Sequence, residues 1–392
     1  MRIIIFVALL ASVSLSAQNR NSIKDVLTSI EENNTTLKTL REDVKVLSLE
    51  NRTGIFLSNP ELEFSYLWGS PANIGSRKDF SIKQMFDIPT ITGMKSRMAD
   101  SKNQLVELQY KSDRIKILLE AKQHCIELTY YNALKVELDV RLQHAQTISK
   151  AYKERLERGD ANVLEYNKSQ LNLSTVKGEM ARVEVERNTL LLELKRLNGG
   201  IKVLFVDDKY DETPLPANFE DWYLYAEQRN PVLQYVKQQI AVNKKEVKLN
   251  QAMGLPAFSA GYMQEKTFGQ KYQGISLGIS IPLWENKNRI KLAKAGVIAA
   301  EAKQTESKQQ FYDQLKNLYM RAVGLQETAI GYRKSLVTFN NTNLLIKALN
   351  AGEISLLNYI VEIGLYYETV NQTLAAERDF EKAFTDLSAV EL

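Results

Sequence analysis

Four short segments of the chain alternate apolar and polar positions as β-strands do. The clearest is GISLGISIPLWENKN (Gly274 to Asn288), where large aliphatic residues alternate with Ser276, Gly278 and Ser280. Successive side chains of a strand point to opposite faces, so one apolar face per segment is predicted. The segment around Phe258 shows this more weakly. The apolar positions of the other three segments are Leu62, Phe64, Tyr66, Trp68, Phe80, Ile82, Phe86, Ile88, Ile275, Leu277, Ile279, Ile281 and Leu283.

Two much longer stretches are predicted to form helical hairpins. From about Lys95 to Arg158, apolar residues recur every three or four positions, which is the period of an α-helix with one buried face. At 1.5 Å per residue, roughly sixty residues form a helix about 90 Å long. Gly159 suits the left-handed cap that ends such a helix, and Asn162 with Glu165 suits the capping box that begins another. Because the turn is so short, the two helices are expected to be antiparallel.

The second half of the chain resembles the first at a constant spacing. GEISLLNY repeats GDANVLEY, with Gly352 in the place of Gly159, followed by Ser355 and Asn358. The strand segments match as well, and the offset stays near 195 residues at each landmark, which predicts an internal duplication. Each copy is expected to contain a helix, two strands and a helical hairpin. The predicted parts are a first structural repeat (18–199), an inter-repeat link (200–217) and a second structural repeat (218–392).

The N-terminus has the pattern of a signal peptide. A basic residue precedes an apolar run from Ile3 to about Val13, and small residues follow up to Ala17. We therefore expect residues 1–17 to be removed on export; a buried N-terminal helix is the alternative. No cysteine lies near the cleavage point, so a lipid anchor there is not expected. No later run approaches the roughly 18 apolar residues that a membrane-spanning helix needs.

Charge and composition narrow the classes of function. The 51 basic and 47 acidic residues are spread throughout the chain and give a net charge of +4. A nucleic-acid-binding surface would need basic residues clustered on one face, so nucleic acid is not an expected partner. The single cysteine, Cys125, excludes an intrachain disulfide.

The predicted strands have the length and polarity of strands that cross a bilayer. Nine to eleven residues span the membrane when tilted, with an apolar face toward lipid and small or polar residues on the other face. Four strands cannot close a barrel, and an open edge in lipid leaves backbone groups without partners. Several copies would therefore have to share one barrel. The alternative is two soluble hairpins packed on a core.

Together, these features resemble the TolC-like outer membrane efflux proteins. The resemblance covers essentially the whole mature chain and is based on the duplication, on strand ends SIKQMFDIP and GISIPLWEN that run into long helices, and on the turns GDANVLEY and GEISLLNY. It implies a mainly α fold with a membrane β-barrel of twelve strands, to which each chain of a homotrimer contributes four. It also implies a periplasmic α-barrel, and partners that are a periplasmic adaptor and an inner-membrane pump such as an RND transporter. DIPTITGMKSR is somewhat similar to a segment of the metal-export branch but lacks its Gly-Lys-Arg run.

The same resemblance assigns roles to the hairpin tips. The predicted adaptor-docking residues are Gly159, Asp160, Asn162, Gly352, Glu353 and Ser355. Drug-exporting relatives have two carboxylates six and nine positions after the second tip glycine, where this chain has Asn358 and Val361. Among the residues near this gate, Glu165, Asn358 and Glu362 are the candidates, with Glu165 and Glu362 the ones that carry charge. The alternative for Glu165 is that it only completes the capping box.

Nothing in the sequence predicts catalysis, a cofactor or a bound metal. His124 and Cys125 are adjacent, so on a helix they diverge by about 100° and cannot face one metal together. His144 lies some 30 Å further along the same helix. The expected function is therefore a passive export duct in the outer membrane with a large periplasmic part. A soluble periplasmic adaptor or scaffold is the alternative, and metal ions, drugs and polypeptides are equally compatible as cargo.

Overall fold

The computed structural model describes residues 22–86, 89–284 and 287–392. The predicted signal peptide and Ile88 lie outside the described residues. Short 3₁₀ turns occupy Ala72–Ile74 and Ala389–Glu391. The other elements are α1 (Ile23–Asn33), α2 (Thr35–Glu50), β1 (Glu61–Trp68), β2 (Ser76–Phe86), α3 (Pro89–Glu157), α4 (Val163–Leu197), α5 (Phe219–Arg229), α6 (Pro231–Ala252), β3 (Ala257–Thr267), β4 (Gln270–Ser280), α7 (Arg289–Thr338), α8 (Thr342–Ala351) and α9 (Leu356–Leu387).

The elements occur in the same order in both halves of the described chain. Helix α5 begins 196 residues after α1, β3 begins 196 after β1, β4 begins 194 after β2, and α9 begins 193 after α4. This order, two strands between a helical start and a long hairpin, is the one that the sequence predicts for each copy. The repeat boundaries at 199/200 and 217/218 stay a prediction.

Three helices that the sequence predicts as continuous are interrupted. Asn34 separates α1 from α2, and Asn230 separates α5 from α6. At the second break, Pro231 has no backbone N–H to donate, and the Asn230 carboxamide accepts from the N–H groups of Val232 and Leu233 at 2.8 and 3.1 Å. The asparagine thus caps the new helix, which is why the chain can break there at little cost.

The third interruption lies in the second hairpin, between α7 and α8. Residues 339–341 leave the helix, and the Asn340 side chain accepts from the backbone N–H of Thr342 at 3.2 Å and from its hydroxyl at 2.7 Å. Such local bonds compete with helical ones. The corresponding helix of the first hairpin, α3, runs unbroken for 69 residues.

The four strands form one antiparallel sheet in the order β1-β2-β3-β4. The central pairing joins β2 to β3, so strands from the two halves of the chain are neighbours. Strands β1 and β4 each have one edge without a partner strand in the described chain. The sheet is therefore open, as predicted. Strand β4 ends at Ser280, so the predicted strand residues Ile281 and Leu283 lie beyond it. Pro282, which has no N–H for a ladder, stands between them.

The described chain divides into two compact units, and neither coincides with a sequence repeat. One unit contains residues 22–34, Glu120–Thr213 and Leu325–Lys382. In it, α3 is bridged to α4 by Arg187 and Asn132 (2.8 Å), and to α9 by Lys382 and Glu127 (2.7 Å). Its buried apolar side chains include Val26, Ile30, Ile126, Leu138, Leu194, Phe205 and Val370.

The inter-repeat link is packed rather than solvated along much of its length. Val203 and Phe205 are buried in the first unit, and the Tyr210 hydroxyl donates to the Ile126 carbonyl at 3.0 Å. Asp207 is half-buried, and its backbone carbonyl accepts from the Asn132 side chain at 2.9 Å. Alternating burial along an extended segment hides one face of the link, and the sequence pattern VLFV is typical of that.

The other unit contains Thr35–Leu119, Pro214–Gly324 and Ala383–Leu392, and includes the sheet. Its helices are joined by polar contacts: α6 to α7 by Lys244 and Glu301 (2.9 Å), and α5 to α7 by Glu227 and Lys308 (2.6 Å). The buried apolar side chains of its helices include Leu37, Leu105, Leu118, Leu233, Ile240, Leu249, Leu315 and Leu387. No helix in the described residues is both long enough and apolar enough to cross a membrane.

Candidate membrane face and pore-entrance residues

One face of the sheet is a continuous apolar surface. The register aligns Leu62, Ile82, Tyr262 and Ile275 in one row across all four strands. The rows on either side contribute the predicted Phe64, Phe80, Phe86, Leu277 and Ile279. All of these side chains are exposed in the described part of the chain, Ile275 and Leu277 most of all, at 81% and 82%. Exposed apolar patches of this kind indicate contact with a partner or with lipid.

Phe258 and Tyr262 belong to the same apolar face, although the sequence pattern singles them out only weakly. Phe258 pairs with Phe86 and Ile279, and Tyr262 pairs with Ile82. The alternation in β3 is obscured because Ala260 and Gln264 occupy the intervening positions on this face. Only the register with β2 and β4 shows that the row is continuous.

The opposite face of the sheet is mostly small, polar or charged, with Leu67, Met85 and Met263 as exceptions. At two of its positions only glycine fits without displacing a neighbouring atom. A Cβ on Gly261 would lie 2.4 Å from the Ile82 carbonyl oxygen, so no larger residue fits there. A Cβ on Gly278 would lie 2.7 Å from the Ser259 hydroxyl, whereas Gly274 has open space. The neighbouring strands thus approach closely on this face, as expected of the side opposite the exposed apolar rows.

The first hairpin tip has the geometry that the sequence predicts. Gly159 adopts the left-handed conformation (φ 81°), and the N–H of Asp160 donates to the Arg155 carbonyl at 2.8 Å, which closes a Schellman-type cap. Helix α4 then begins with a reciprocal capping box between Asn162 and Glu165, with bonds of 3.0 and 3.3 Å. Asp160 and Asn162 are exposed at the tip, and Glu165 is half-buried.

The second tip repeats this arrangement. Gly352 is left-handed (φ 75°), and the N–H of Glu353 donates to the Ala348 carbonyl at 2.9 Å. Ser355 caps α9 by accepting from the N–H of Asn358 at 3.1 Å. Glu353, Ser355 and Asn358 are exposed, so both tips present polar surface around a fixed turn.

The two charged gate candidates differ in their surroundings. The Glu165 carboxylate is occupied by its bond to the Asn162 N–H, which agrees with the capping role. Glu362 lies on α9 and is exposed. The residue before it, Val361, occupies the position where the resemblance implies a carboxylate. The charge of Glu362 is the more available of the two for a pore entrance.

Helix α4 has two apolar lines that are nearly opposite each other. The first is buried within the chain and contains Val176, Val183 and Leu197, with half-buried Leu190 and buried Ser169 completing the seven-residue spacing. The second has the same seven-residue spacing but is exposed, and consists of Leu164, Leu171, Val185 and Leu192, with Gly178 between. A seven-residue apolar spacing is that of one of the two core positions of a left-handed coiled coil. The exposed line therefore has the spacing to receive a second helix.

The cysteine and histidines do not form a metal site. Cys125 is buried, and burial raises the pKa of its thiol to about 12, so the thiolate that binds metals is strongly disfavoured. His144 Nδ1 lies 3.2 Å from the Tyr367 hydroxyl, and His124 Nε2 lies 3.9 Å from a Glu120 oxygen. Within the described ranges, no three His, Cys, Asp or Glu side chains are grouped as metal ligands.

A buried carboxylate joins the link to α9. Glu381 accepts from the Thr213 hydroxyl at 2.9 Å, and burial raises the pKa of Glu381 to about 7. Lys122 on α3 opposes this rise, while Asp211 on the link and Glu377 on α9 add to it. Since the folded state holds this proton more tightly than the unfolded state, the stability contribution is lost as pH rises from about 4.5 to about 7.

We expect Glu381→Gln to remove this pH dependence. Glutamine keeps an acceptor for Thr213 but has no charge to bury, so at pH 8 the variant should be more stable by roughly 2–3 kcal/mol, and near pH 4.5 equally stable. Thermal unfolding followed by circular dichroism from pH 4.5 to 8 measures this. Glu353→Gln, at an exposed tip, is the control and should follow the parent. A parallel pH profile in Glu381→Gln would contradict the assignment.

The fold of this chain is similar to the folds of several solved outer membrane proteins. The Campylobacter jejuni CmeC outer membrane channel is similar over 94% of this chain and 85% of its own, with a TM-score of 0.73 and 13% identity. The Neisseria gonorrhoeae MtrE outer membrane channel has a TM-score of 0.70 and 13% identity, over 94% of this chain and 88% of its own. The Vibrio cholerae outer membrane protein VceC has a TM-score of 0.69 and 12% identity, over 94% of this chain and 95% of its own. No protein-family model and no curated protein matches the sequence. The predicted fold class, long helical hairpins with four strands per chain, is confirmed.

Proposed function

We propose that this protein is the outer membrane channel of a tripartite efflux or secretion system and acts as a passive export duct. The observation that carries the proposal is the open four-stranded sheet with an uncovered apolar face, in a fold shared with outer membrane channels.

Lipid is the environment that best accommodates the exposed apolar face of the sheet. Strands β2, β3 and β4 each have eleven residues, or about 37 Å when extended. At a tilt near 45° this length matches the roughly 25 Å apolar band of an outer membrane barrel. Charged and small residues occupy the other face, as expected for one that lines an aqueous interior.

The open edges require more copies of the chain. Strands β1 and β4 would leave unpaired N–H and C=O groups in the membrane, which costs several kcal/mol per group. Pairing β4 of one copy with β1 of the next satisfies both edges, and three copies give twelve strands, which suffices for a closed barrel. Two copies, with eight strands, would also suffice; the proposed assembly is a homotrimer because the resemblance to the TolC-like proteins implies three copies. The exposed heptad line of α4 supports it, because a neighbouring copy would supply a helix to cover that line.

The hairpin tips are proposed to meet the rest of the system. Six hairpins per trimer would bring six polar tips around one axis, where a periplasmic adaptor would dock and connect the channel to an inner-membrane pump such as an RND transporter. Exposed Asp160 and Glu353 offer backbone and side-chain acceptors on a fixed turn. Rigid turns suit docking because little conformational entropy is lost on binding.

The alternative is a soluble periplasmic adaptor or scaffold. Long hairpins alone would fit it, but adaptors normally have one hairpin flanked by compact β-domains. Here two hairpins accompany a single sheet whose apolar face is exposed. The sheet rather than the helices is what favours the channel.

Membrane fractionation and mass together test the proposal. We expect the protein in the outer membrane fraction, extracted only by detergent, and with a protein mass about three times that of the protomer by light scattering. Recovery as a soluble periplasmic monomer would establish the adaptor instead. A detergent-extracted monomer would refute the shared barrel.

Removing the Glu362 charge is expected to weaken the cation preference of the proposed channel. In a planar bilayer at low salt, Glu362→Gln should reduce the preference, because a ring of three carboxylates attracts cations within the Debye length, about 8–10 Å. Glu165→Gln should have the smaller effect, since glutamine still accepts from the Asn162 N–H and retains the cap. Glu186→Gln, exposed further along α4, is the control. Unchanged selectivity in both tip variants would remove these residues from the pore.

A further inference from the structure

Three lysines stand in one row across three adjacent strands. Lys78 of β2 pairs with Lys266 of β3, and Lys266 pairs with Lys271 of β4. All three are exposed and lie on the apolar face, since each is an even number of positions from a member of that face. We call these residues the lysine row. Adjacent strands are about 4.8 Å apart, so three positive charges lie within about 10 Å at the backbone. Like charges directly opposite each other destabilise a sheet, so such a row calls for an anion.

The chain does not supply that anion in its described part. The carboxylates nearest in the strands, Asp79 and Glu265, point to the opposite face, where Arg77 binds them at 2.9 and 3.1 Å. None of the lysine row forms an ion pair among the described residues. Lys78 makes a cation–π contact instead, with its Nζ 5.3 Å from the centre of the Tyr66 ring. The two faces therefore differ. Arg77 is ion-paired on the polar face, whereas the lysines on the apolar face have no carboxylate partner among the described residues.

The lysine row also has a defined height on the sheet. It follows the apolar row of Phe64 and Phe80 directly, two residues further toward the hairpin turns, and Tyr66 lies in the same row. Trp68 follows one row beyond. Tyrosine and tryptophan are typical of the membrane–water interface, where an apolar ring and a polar group can each be satisfied. The row thus lies where the hydrocarbon of a bilayer would give way to headgroups.

We propose that the lysine row binds the phosphate groups of anionic lipid headgroups. This inference rests on the proposed membrane function. Because β2 and β4 run into helices α3 and α7, the row lies at the other end of the sheet, toward the leaflet away from the helices. Ammonium groups bind phosphate through charge-assisted hydrogen bonds, and surface charge strengthens the attraction of basic residues to anionic lipid. Bound headgroups would also remove the repulsion within the row.

Lipid binding by the detergent-purified trimer tests the proposal. Native mass spectrometry would compare phosphatidylglycerol with phosphatidylcholine of the same acyl chains, for the parent and for the triple variant Lys78→Gln/Lys266→Gln/Lys271→Gln. We expect the parent to prefer phosphatidylglycerol and the triple variant to lose about tenfold or more of that preference. The control Lys150→Gln/Lys168→Gln/Lys177→Gln removes the same charge from exposed positions of α3 and α4, and its preference should stay within about twofold of the parent's.

Several outcomes would overturn the inference. If the triple variant kept its preference, or if the control variant lost as much, the row would not be the site. Displacement of lipid by inorganic phosphate, but not by chloride of equal ionic strength, would indicate a site for free phosphate instead. A triple Lys→Arg variant should retain the preference, and if the glutamine variant does not assemble, single Lys→Gln variants measure the same loss. If the parent protein were absent from the membrane fraction, the proposed function itself would be refuted, and not the lysine row alone.

Discussion

Arginine in place of Leu277 is expected to lower the stability of the membrane-inserted protein by about 2–4 kcal/mol. Leu277 lies inside β4, pairs with Ala260, and has apolar neighbours at Ile275 and Ile279 on the same face. An arginine there would place a charge near the middle of the apolar band, where neither water nor a carboxylate is within reach. Unfolding by urea in lipid vesicles, followed by tryptophan fluorescence, gives the difference in the free energy of unfolding.

The matched control is Gly274→Arg, three positions earlier in the same strand. Gly274 lies on the opposite face, and nothing lies within 4 Å of the position that its Cβ would take, so the new side chain has room. Gly278 is a poorer control, because its Cβ would displace the Ser259 hydroxyl. We expect Gly274→Arg to cost less than about 1 kcal/mol if it faces an aqueous interior. Equal losses for the two arginines would contradict the assignment of the faces.

Much of this architecture could be predicted because local patterns determine it. The left-handed glycines at 159 and 352 and the capping residues at 162 and 355 depend on neighbours within a few positions, and the structure has them as expected. The apolar positions of β1, β2 and β4 also follow directly from alternation. Ile281 was wrongly included in the strand, because the apolar pattern continues past the point where the ladder stops.

The features that the sequence did not predict depend on residues far apart in the chain. Lys78, Lys266 and Lys271 come from three different strands, and only the pairing of β2 with β3 and β3 with β4 puts them in a row. The break at Asn230 is different, because Asn230 and Pro231 are a local signal for the start of a new helix, which apolar periodicity alone does not contain. For α4, the period indicates a helix, but burial is needed to show that one apolar line is covered and the other is not.

Glutamates in the exposed apolar line of α4 are expected to dissociate the proposed trimer. Leu171 and Val185 are 68% and 63% exposed in the single chain, and each would bury an apolar side chain against a neighbouring copy. Burial of such a side chain contributes roughly 1.5–3 kcal/mol. Leu171→Glu with Val185→Glu should therefore cost about 4 kcal/mol or more at each interface, or about a thousandfold in association.

Light scattering of the protein in detergent measures the effect, and Ser174→Glu with Asn188→Glu is the control. These two positions are exposed, lie three residues after Leu171 and Val185, and so are rotated about 60° from the apolar line. The added charge is the same, but no large apolar group is lost. Because the line is exposed within the chain, the helix content of both double variants should match the parent by circular dichroism. We expect a shift to smaller mass for Leu171→Glu/Val185→Glu alone. If that variant stayed trimeric over the concentrations at which the parent and control are trimeric, the line would not be a subunit seam, and the open strand edges would have to hold the assembly by themselves.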